Sequence, residues 1–134
     1  MSWFANTLKV YGSPEELAQF DADFIGLPRN QAATERRRCF NALIPMPADY
    51  DDLPAWAVRN WGSKWDIYAD AIGVRETGSG LVYEFETANS PPFVWVRRAR
   101  ALYPKLSFSL TCQAVGEGQG PSIDYRALGV PIEG

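Results

Sequence analysis

Histidine is absent from the 134-residue sequence. Histidine is the commonest general base of enzymes, a frequent zinc ligand and the residue that activates serine and cysteine nucleophiles. Its absence excludes Ser–His and Cys–His catalysis and leaves only carboxylate-based or lysine-based chemistry open to this chain. We therefore expect a protein that is not an enzyme.

Cysteine is scarce as well. The two cysteines, Cys39 and Cys112, each lie in an apolar stretch, which indicates two buried thiols in a reducing compartment. A disulfide or a redox role is the alternative. The aspartates Asp49, Asp51 and Asp52 lack the spacing of a calcium-binding loop. We expect neither a metal nor another cofactor.

The sequence also has no long apolar run and no large excess of charge. Its start, "MSWFANTLKV", has no basic segment followed by an apolar one, and no stretch approaches the length of a membrane span. We expect a cytoplasmic protein without a membrane partner. The net charge of −3, from 16 acidic and 13 basic residues, argues against a nucleic-acid partner.

Apolar material for a core is plentiful, with 46% hydrophobic and 13% aromatic residues. This composition predicts one folded domain over residues 1–134 that needs no metal or disulfide to be stable. From about residue 114 the sequence becomes glycine-rich, and we expect a C-terminal extension there.

The periodicity of the apolar residues predicts alternating strands and helices. "NTLKVYGS" predicts a first strand. Ser13 and Pro14 are typical of a helix start, and Gly26 is expected to end that first long helix. "CFNALIPMP" predicts a second strand, with Phe40, Ala42 and Ile44 facing one way, that stops at its prolines.

The second half of the chain continues this order. "DDLPAWAVRNWG" predicts a short helix, and "ETGSG" predicts the turn of a β-hairpin. "NSPPFVWVRRARALYP" predicts a second long helix capped by Asn89 or Ser90. "KLSFSLTC" predicts the last long strand, and "SIDYRAL" one short strand in the tail.

This order predicts an α+β protein of the ferredoxin-like, split βαβ type. We expect a four-stranded antiparallel sheet with the two main helices on one face and the short helix as an insertion. The residues expected to be buried between sheet and helices are Leu17, Phe20, Phe40, Phe85, Leu102 and Phe108.

Five motifs occur in an order and spacing that resemble one family. They are "WFANTLKVYG", "CFNALIPMP", "NWGSKWD", "SPP" before a helix, and "YPKLSFSLTC". Together they resemble the Api92-like, or YubB-like, family of ferredoxin-like domains, from Trp3 to about Gly120. Such domains are encoded mainly by phages and plasmids. The resemblance therefore implies a fold and a mobile genetic element, and implies no reaction. "TANSPP" departs from the family pattern, which has an aromatic residue in place of Asn89.

One candidate site surrounds "RNWGSKWD", residues 59–66. One interpretation is structural: the two tryptophans fix the short helix on the sheet, and the polar residues satisfy turn backbone groups. The other is a ligand-binding or peptide-binding rim formed by Asn60, Lys64 and Trp65, facing Asn89 and Ser90.

A second candidate surface combines the basic loop at residues 31–38 with the glycine-rich segment at residues 116–122. Neither has the apolar periodicity of a core segment, so both are free to serve recognition. Interfaces favour arginine and tyrosine. The candidate interaction residues here, expected to be exposed, are Arg36, Arg37, Arg38, Tyr125 and Arg126.

The function we expect from these observations is protein–protein interaction. As an accessory protein of a mobile element, the chain would bind a host or phage protein complex, for example to inhibit CRISPR–Cas or restriction. A small-ligand or nucleic-acid-binding module of ferredoxin-like fold is the alternative.

Overall fold

The computed structural model describes residues 3–29, 35–50, 52–67, 72–78, 80–115 and 123–124. The strands are β1 Trp3–Tyr11, β2 Ile25–Gly26, β3 Arg37–Arg38, β4 Gly73–Thr77, β5 Gly80–Ala88, β6 Ser107–Val115 and β7 Ile123–Asp124. The helices are α1 Pro14–Asp23, α2 Phe40–Leu43, α3 Leu53–Asn60 and α4 Phe93–Leu102. No helix in these ranges is long and apolar enough to cross a membrane.

The main sheet has the order β4-β5-β1-β6-β7, and every neighbouring pair is antiparallel. Strand β1 is central and pairs along its whole length on both sides: Trp3 lies opposite Ala88 of β5 and Val115 of β6. The expected mixed α+β architecture with an antiparallel sheet is confirmed. The predicted hairpin is confirmed too, with β4 and β5 on either side of its glycine-containing turn.

Alternation along the strands produces one buried face. On β1, Leu8 and Val10 are buried while their neighbours are half-exposed. Phe20 of α1 packs edge-on against Tyr83 of β5 and Phe108 of β6, with ring centroids 6.0 and 5.5 Å apart. The predicted burial of the core is confirmed for Leu17, Phe20, Phe40, Phe85 and Phe108.

The predicted second strand is wrong, because residues 40–43 form the short helix α2. The carboxylate of Asp66 accepts the backbone N–H groups of Phe40 and Asn41. It thus binds donors that a helix start leaves without intrahelical partners. The two strands that precede it in the chain, β2 and β3, pair over two residues each and form a separate ribbon.

The start of α1 is as predicted, since Ser13 Oγ accepts the N–H of Glu16 at 3.2 Å. Its predicted end is wrong: α1 stops at Asp23, and Gly26 lies in β2. A Cβ atom at residue 26 would lie 2.9 Å from the Cβ of Ala42. This glycine is therefore explained by the close approach of α2.

Helix α4 differs from its prediction at both ends. Neither Asn89 nor Ser90 caps it. Pro92 holds the N-cap position without a side-chain bond, and the N–H of Trp95 donates to the carbonyl of Trp61 at 3.0 Å. Leu102, expected to be buried, is 55% exposed, because the buried stripe of α4 runs instead through Trp95, Val96 and Ala99.

Strand β7 lies on the outer side of β6, within the predicted tail strand. The rest of that tail, including residues 116–122 and the candidates Tyr125 and Arg126, lies outside the described residues, as do residues 31–34 of the basic loop.

Candidate functional site

The segment "RNWGSKWD" forms a corner between α3 and α4. Trp61 is fully buried; its Nε1 donates to the carbonyl of Ile44 at 2.9 Å, and its ring meets that of Trp56 edge-on. Gly62 has φ +86°, and a Cβ there would lie 3.1 Å from the carbonyl oxygen of Pro91. Both the positive φ and the close contact require glycine. Trp61 and Gly62 therefore have a structural role, as in the first of the two interpretations of this segment.

The last residue of that segment, Asp66, is a buried carboxylate that binds backbone groups from three parts of the chain. Its Oδ1 accepts the N–H groups of Phe40 at 2.6 Å and Ile67 at 2.8 Å, and its Oδ2 accepts those of Asn41 at 3.2 Å and Arg29 at 3.3 Å. Burial raises the pKa of Asp66, and the four N–H groups oppose that rise. Asp66 thus joins two loops to the start of α2.

The expected rim of Asn60, Lys64 and Trp65 is only partly assembled. Lys64 Nζ lies 5.1 Å from the centroid of the Trp65 ring, so the cation covers one face of that ring. Asn60 is turned away: its Nδ2 donates to the carbonyl of Trp56, and its Oδ1 accepts from Arg98 of α4 at 3.0 Å.

The other side of the expected rim is the turn between β5 and α4. Asn89 is exposed and has a φ of 69°, a conformation that asparagine tolerates better than most residues. Ser90 Oγ donates to the carbonyl of Gly62, and the N–H of Lys64 donates to the carbonyl of Ala88. The backbone of Lys64 therefore lies next to this turn, and two hydrogen bonds to backbone carbonyls hold the two segments together.

In the described part of the basic loop, residues 35–38, two of the three arginines are bound within the fold. Arg38 forms a bidentate pair with Asp21, with both N–O distances at 2.8 Å, and Tyr83 donates its hydroxyl to the same carboxylate. The hydrogen bonds from Arg38 hold the pKa of Asp21 below its usual range. Burial, together with the hydrogen bond to Asp21, raises the pKa of Tyr83. Arg38 therefore fixes the β2–β3 ribbon to α1 and the sheet.

Arg37 is also half-buried, since its guanidinium donates to the carbonyl of Ile67 at 2.9 Å. The expectation that all three arginines are exposed is therefore wrong for Arg37 and Arg38. The β2–β3 ribbon that carries them packs against Ile67 and against α1. Arg36 alone of the three is exposed; it donates to the carbonyl of Ile25 at 3.0 Å.

Arg36 is one of the residues that line an open groove of about 580 Å³, which we call the α1–α4 groove. The groove lies where the ends of α1 and α4 meet α2 and β2. Tyr103 donates its hydroxyl to Asp23, and Gln19 Nε2 donates to the other oxygen of that carboxylate at 2.8 Å. Its lining includes Asp23, Ile25, Ala42, Leu43, Leu102 and Tyr103.

Sequence reasoning missed this groove. Its wall α2 was predicted to be a strand, and Leu102 was predicted to be buried. Asp23 and Tyr103 are 80 residues apart, so no local pattern places them together. The one signal available was that Leu102 follows Arg98 by four residues, which puts it on the same side of a helix as a charged residue.

Two side chains with raised pKa values, Cys39 and Tyr103, stay protonated at neutral pH. Burial raises the pKa of the Cys39 thiol to about 12, which disfavours the nucleophilic thiolate. The pKa of Tyr103 is raised by burial and by its bond to Asp23. Within the described ranges, no group of three acidic or cysteine side chains could hold a metal ion.

Comparison with known proteins returned no matching family model, no matching curated protein and no matching solved structure. The resemblance to the Api92-like family therefore stays a prediction from sequence motifs. The candidate site rests on the geometry of this chain alone.

Proposed function

We propose that the protein is a non-enzymatic interaction module of ferredoxin-like fold that binds a segment of a partner protein in the α1–α4 groove. The topology supports the fold. The chain passes from β1 through α1 to β4, with β5 lying between these two strands; it then passes from β5 through α4 to β6, with β1 between them. Two interleaved βαβ units of this kind are the split βαβ arrangement.

The observation that carries the binding proposal is the exposure of Leu102 at the groove wall. A leucine that is 55% exposed gains stabilisation when a partner covers it, because apolar burial contributes roughly 25 cal/mol per Å². Ile25 and Leu43 of the same groove are half-buried and add to the apolar part of a lining that is mainly polar.

The shape and charge of the groove indicate the kind of occupant. Its volume is in the range of ligand sites, but it is an open groove, which suits a continuous chain segment. The carboxylate of Asp23 already accepts two hydrogen bonds, whereas Arg36 of the same lining is exposed. The proposed occupant is a peptide segment with aliphatic side chains and one carboxylate that pairs with Arg36.

The side chains on the open face of the sheet argue against the nucleic-acid alternative. Sheets that bind RNA stack bases on aromatic side chains of their central strands. Here Glu84 and Glu86 are exposed on β5, opposite Thr7 and Ala5 of β1. Glu84 is paired with Arg75, and the carboxylate of Glu86 repels phosphate groups. The small-ligand alternative is also less favoured, because Lys64 already covers one face of the Trp65 ring that would contact a ligand.

The resemblance to the Api92-like family supports a further proposal about biological role. The chain acts in the host cytoplasm as an accessory protein of a phage or plasmid, and its partner belongs to a host or phage complex such as CRISPR–Cas or restriction. A plating assay tests this role. Expression of the chain should raise phage plating efficiency on hosts that carry the targeted system. No rise on hosts carrying either kind of system contradicts the role.

Site-specific photo-crosslinking tests the groove. A photoreactive amino acid at position 102 should crosslink a lysate protein in a reaction that unlabelled wild-type protein competes away. The unlabelled Leu102→Glu variant should compete poorly. A photoreactive residue at position 74, on the exposed edge strand β4, is the matched control. Equal labelling from both positions, or equal competition by Leu102→Glu, contradicts the groove as the binding site.

A further inference from the structure

Helices α3 and α4 carry no acidic residue, although the chain as a whole has a net charge of −3. The exposed positions of α3 include Val58 and Arg59, and those of α4 include Arg97, Arg98 and Ala101. We call these five residues the α3–α4 face. Every side chain on it is either aliphatic or cationic.

The two helices are held side by side, so these positions form one surface. The guanidinium of Arg98 donates to Asn60 at the end of α3 with a distance of 3.0 Å, and the N–H of Trp95 donates to the carbonyl of Trp61. Arg59 directly precedes Asn60. This places Arg59 and Arg98 at the same junction, with Arg97 next along α4.

Neither helix supplies a carboxylate to this face. The ion pairs of Arg38 with Asp21 and of Arg75 with Glu84 lie away from α3 and α4. Asp52, which directly precedes α3, accepts the N–H of Ala55 at the opposite end of that helix from Arg59. The asymmetry gives the α3–α4 face a positive potential that attracts anionic groups.

We infer that the α3–α4 face binds an acidic, amphipathic segment of a partner protein. The inference rests on the proposed role as an interaction module, and it adds a second surface and the chemistry of the partner. Planar guanidinium groups pair with carboxylates through two hydrogen bonds at once. Val58, which is 51% exposed, provides apolar contact beside the arginines. A complementary segment alternates carboxylates with aliphatic side chains.

A protein partner fits this face better than a nucleic acid does. Single-stranded nucleic acids bind through aromatic side chains on which bases stack. The tryptophans of these helices, Trp56 and Trp95, are buried in the core. The other exposed groups of the face are the aliphatic side chains of Val58 and Ala101, which gain little from contact with a phosphate backbone.

An NMR titration tests the inference with a synthetic probe. The probe is a peptide of about 12 residues, ~18 Å long as a helix, in which Asp and Glu alternate with Leu at helical spacing. Its control carries Lys at every acidic position. The acidic peptide should shift the amide signals of Val58, Arg59, Arg97 and Arg98 in a saturable way, and the control peptide should not.

Variants assign the binding to one surface. The triple variant Arg59→Gln, Arg97→Gln, Arg98→Gln should weaken binding of the acidic peptide at least tenfold. The matched control Arg75→Gln, on β4, should leave it unchanged. Unchanged binding by a folded triple variant overturns the inference, and so does tighter binding of a single-stranded DNA oligonucleotide that depends on the same arginines.

A further variant separates this inference from the groove. If Arg36→Gln abolishes binding of the acidic peptide and the triple variant does not, the acidic segment binds in the α1–α4 groove. The proposed function then stands and the inference about the α3–α4 face fails. If specific crosslinking from position 102 is lost while the acidic peptide still binds the α3–α4 face, the inference stands and the proposed function fails.

Discussion

The carboxylate of Asp66 lies 2.6 Å from the backbone nitrogen of Phe40, although 26 residues separate them along the chain. This contact places the start of α2 in the core and decides the conformation of a segment whose own pattern predicts a strand. It also shapes the α1–α4 groove, because Ala42 and Leu43 of α2 form part of its lining.

Replacing Asp66 with asparagine should lower the free energy of unfolding by about 2–4 kcal/mol, because an amide NH₂ group cannot accept the N–H groups that one carboxylate oxygen now accepts. Denaturant unfolding measures the loss. Asp49→Asn, at an exposed position, is the control and should stay within about 0.5 kcal/mol of the wild type. A loss below about 1 kcal/mol at Asp66 would show that this carboxylate does not fix α2.

Arg38 and Asp21 should make part of the stability depend on pH. The pKa of Asp21 is lowered in the folded state by its bonds to Arg38. The stabilisation is therefore complete above the unfolded pKa of about 3.9 and is lost as the pH falls through the folded value. The wild type should exceed Asp21→Asn by about 1 kcal/mol at pH 7, and this difference should shrink in acid. A difference that stays constant down to the lowest pH at which the protein folds contradicts the assignment.

Arg36 and Arg38, two residues apart, should respond differently to truncation. Arg38→Ala should lower the unfolding free energy by about 1–3 kcal/mol, because it leaves the half-buried Asp21 without its cation. Arg36→Ala should change it by about 0.5 kcal/mol or less, since this side chain is exposed. Similar losses for the two variants in parallel urea titrations would contradict the different roles described for them.

Phe108→Ala tests the sheet and its core. Phe108 is buried on β6 and its ring packs against Phe20 of α1, so truncation should cost about 3–5 kcal/mol. Leu102→Ala, at an exposed position, should cost less than about 1 kcal/mol. The comparison is made by chemical denaturation at one temperature. A small loss at Phe108, or an equally large one at Leu102, would contradict the described packing.

Local patterns in the sequence are enough to predict much of this fold. The alternation of Leu8 and Val10 predicts β1, and Ser13 with Pro14 predicts the start of α1, because strand alternation and helix capping depend on neighbouring residues. The paired glycines predict the β4–β5 turn for the same reason.

The elements that sequence patterns fail to predict are those decided by distant groups. Phe40, Ala42 and Ile44 would share one face of a strand. Instead, Asp66 accepts the backbone N–H groups of Phe40 and Asn41, which fixes the start of a helix. At the start of α4, the N–H of Trp95 donates to the distant carbonyl of Trp61 and not to a local side chain. Arg38, predicted to be a recognition residue, is held by Asp21, seventeen residues earlier. Such contacts leave no local signal in a single sequence.

The central claim is that a partner segment binds in the α1–α4 groove, and the affinity of the crosslinked partner for two variants tests it most directly. Calorimetry with that purified partner should show Leu102→Glu binding at least tenfold more weakly than the wild type, about 1.4 kcal/mol. Val74→Glu, at another exposed apolar residue on β4, should bind as the wild type does. Equal affinities for the wild type and a correctly folded Leu102→Glu variant would contradict the claim.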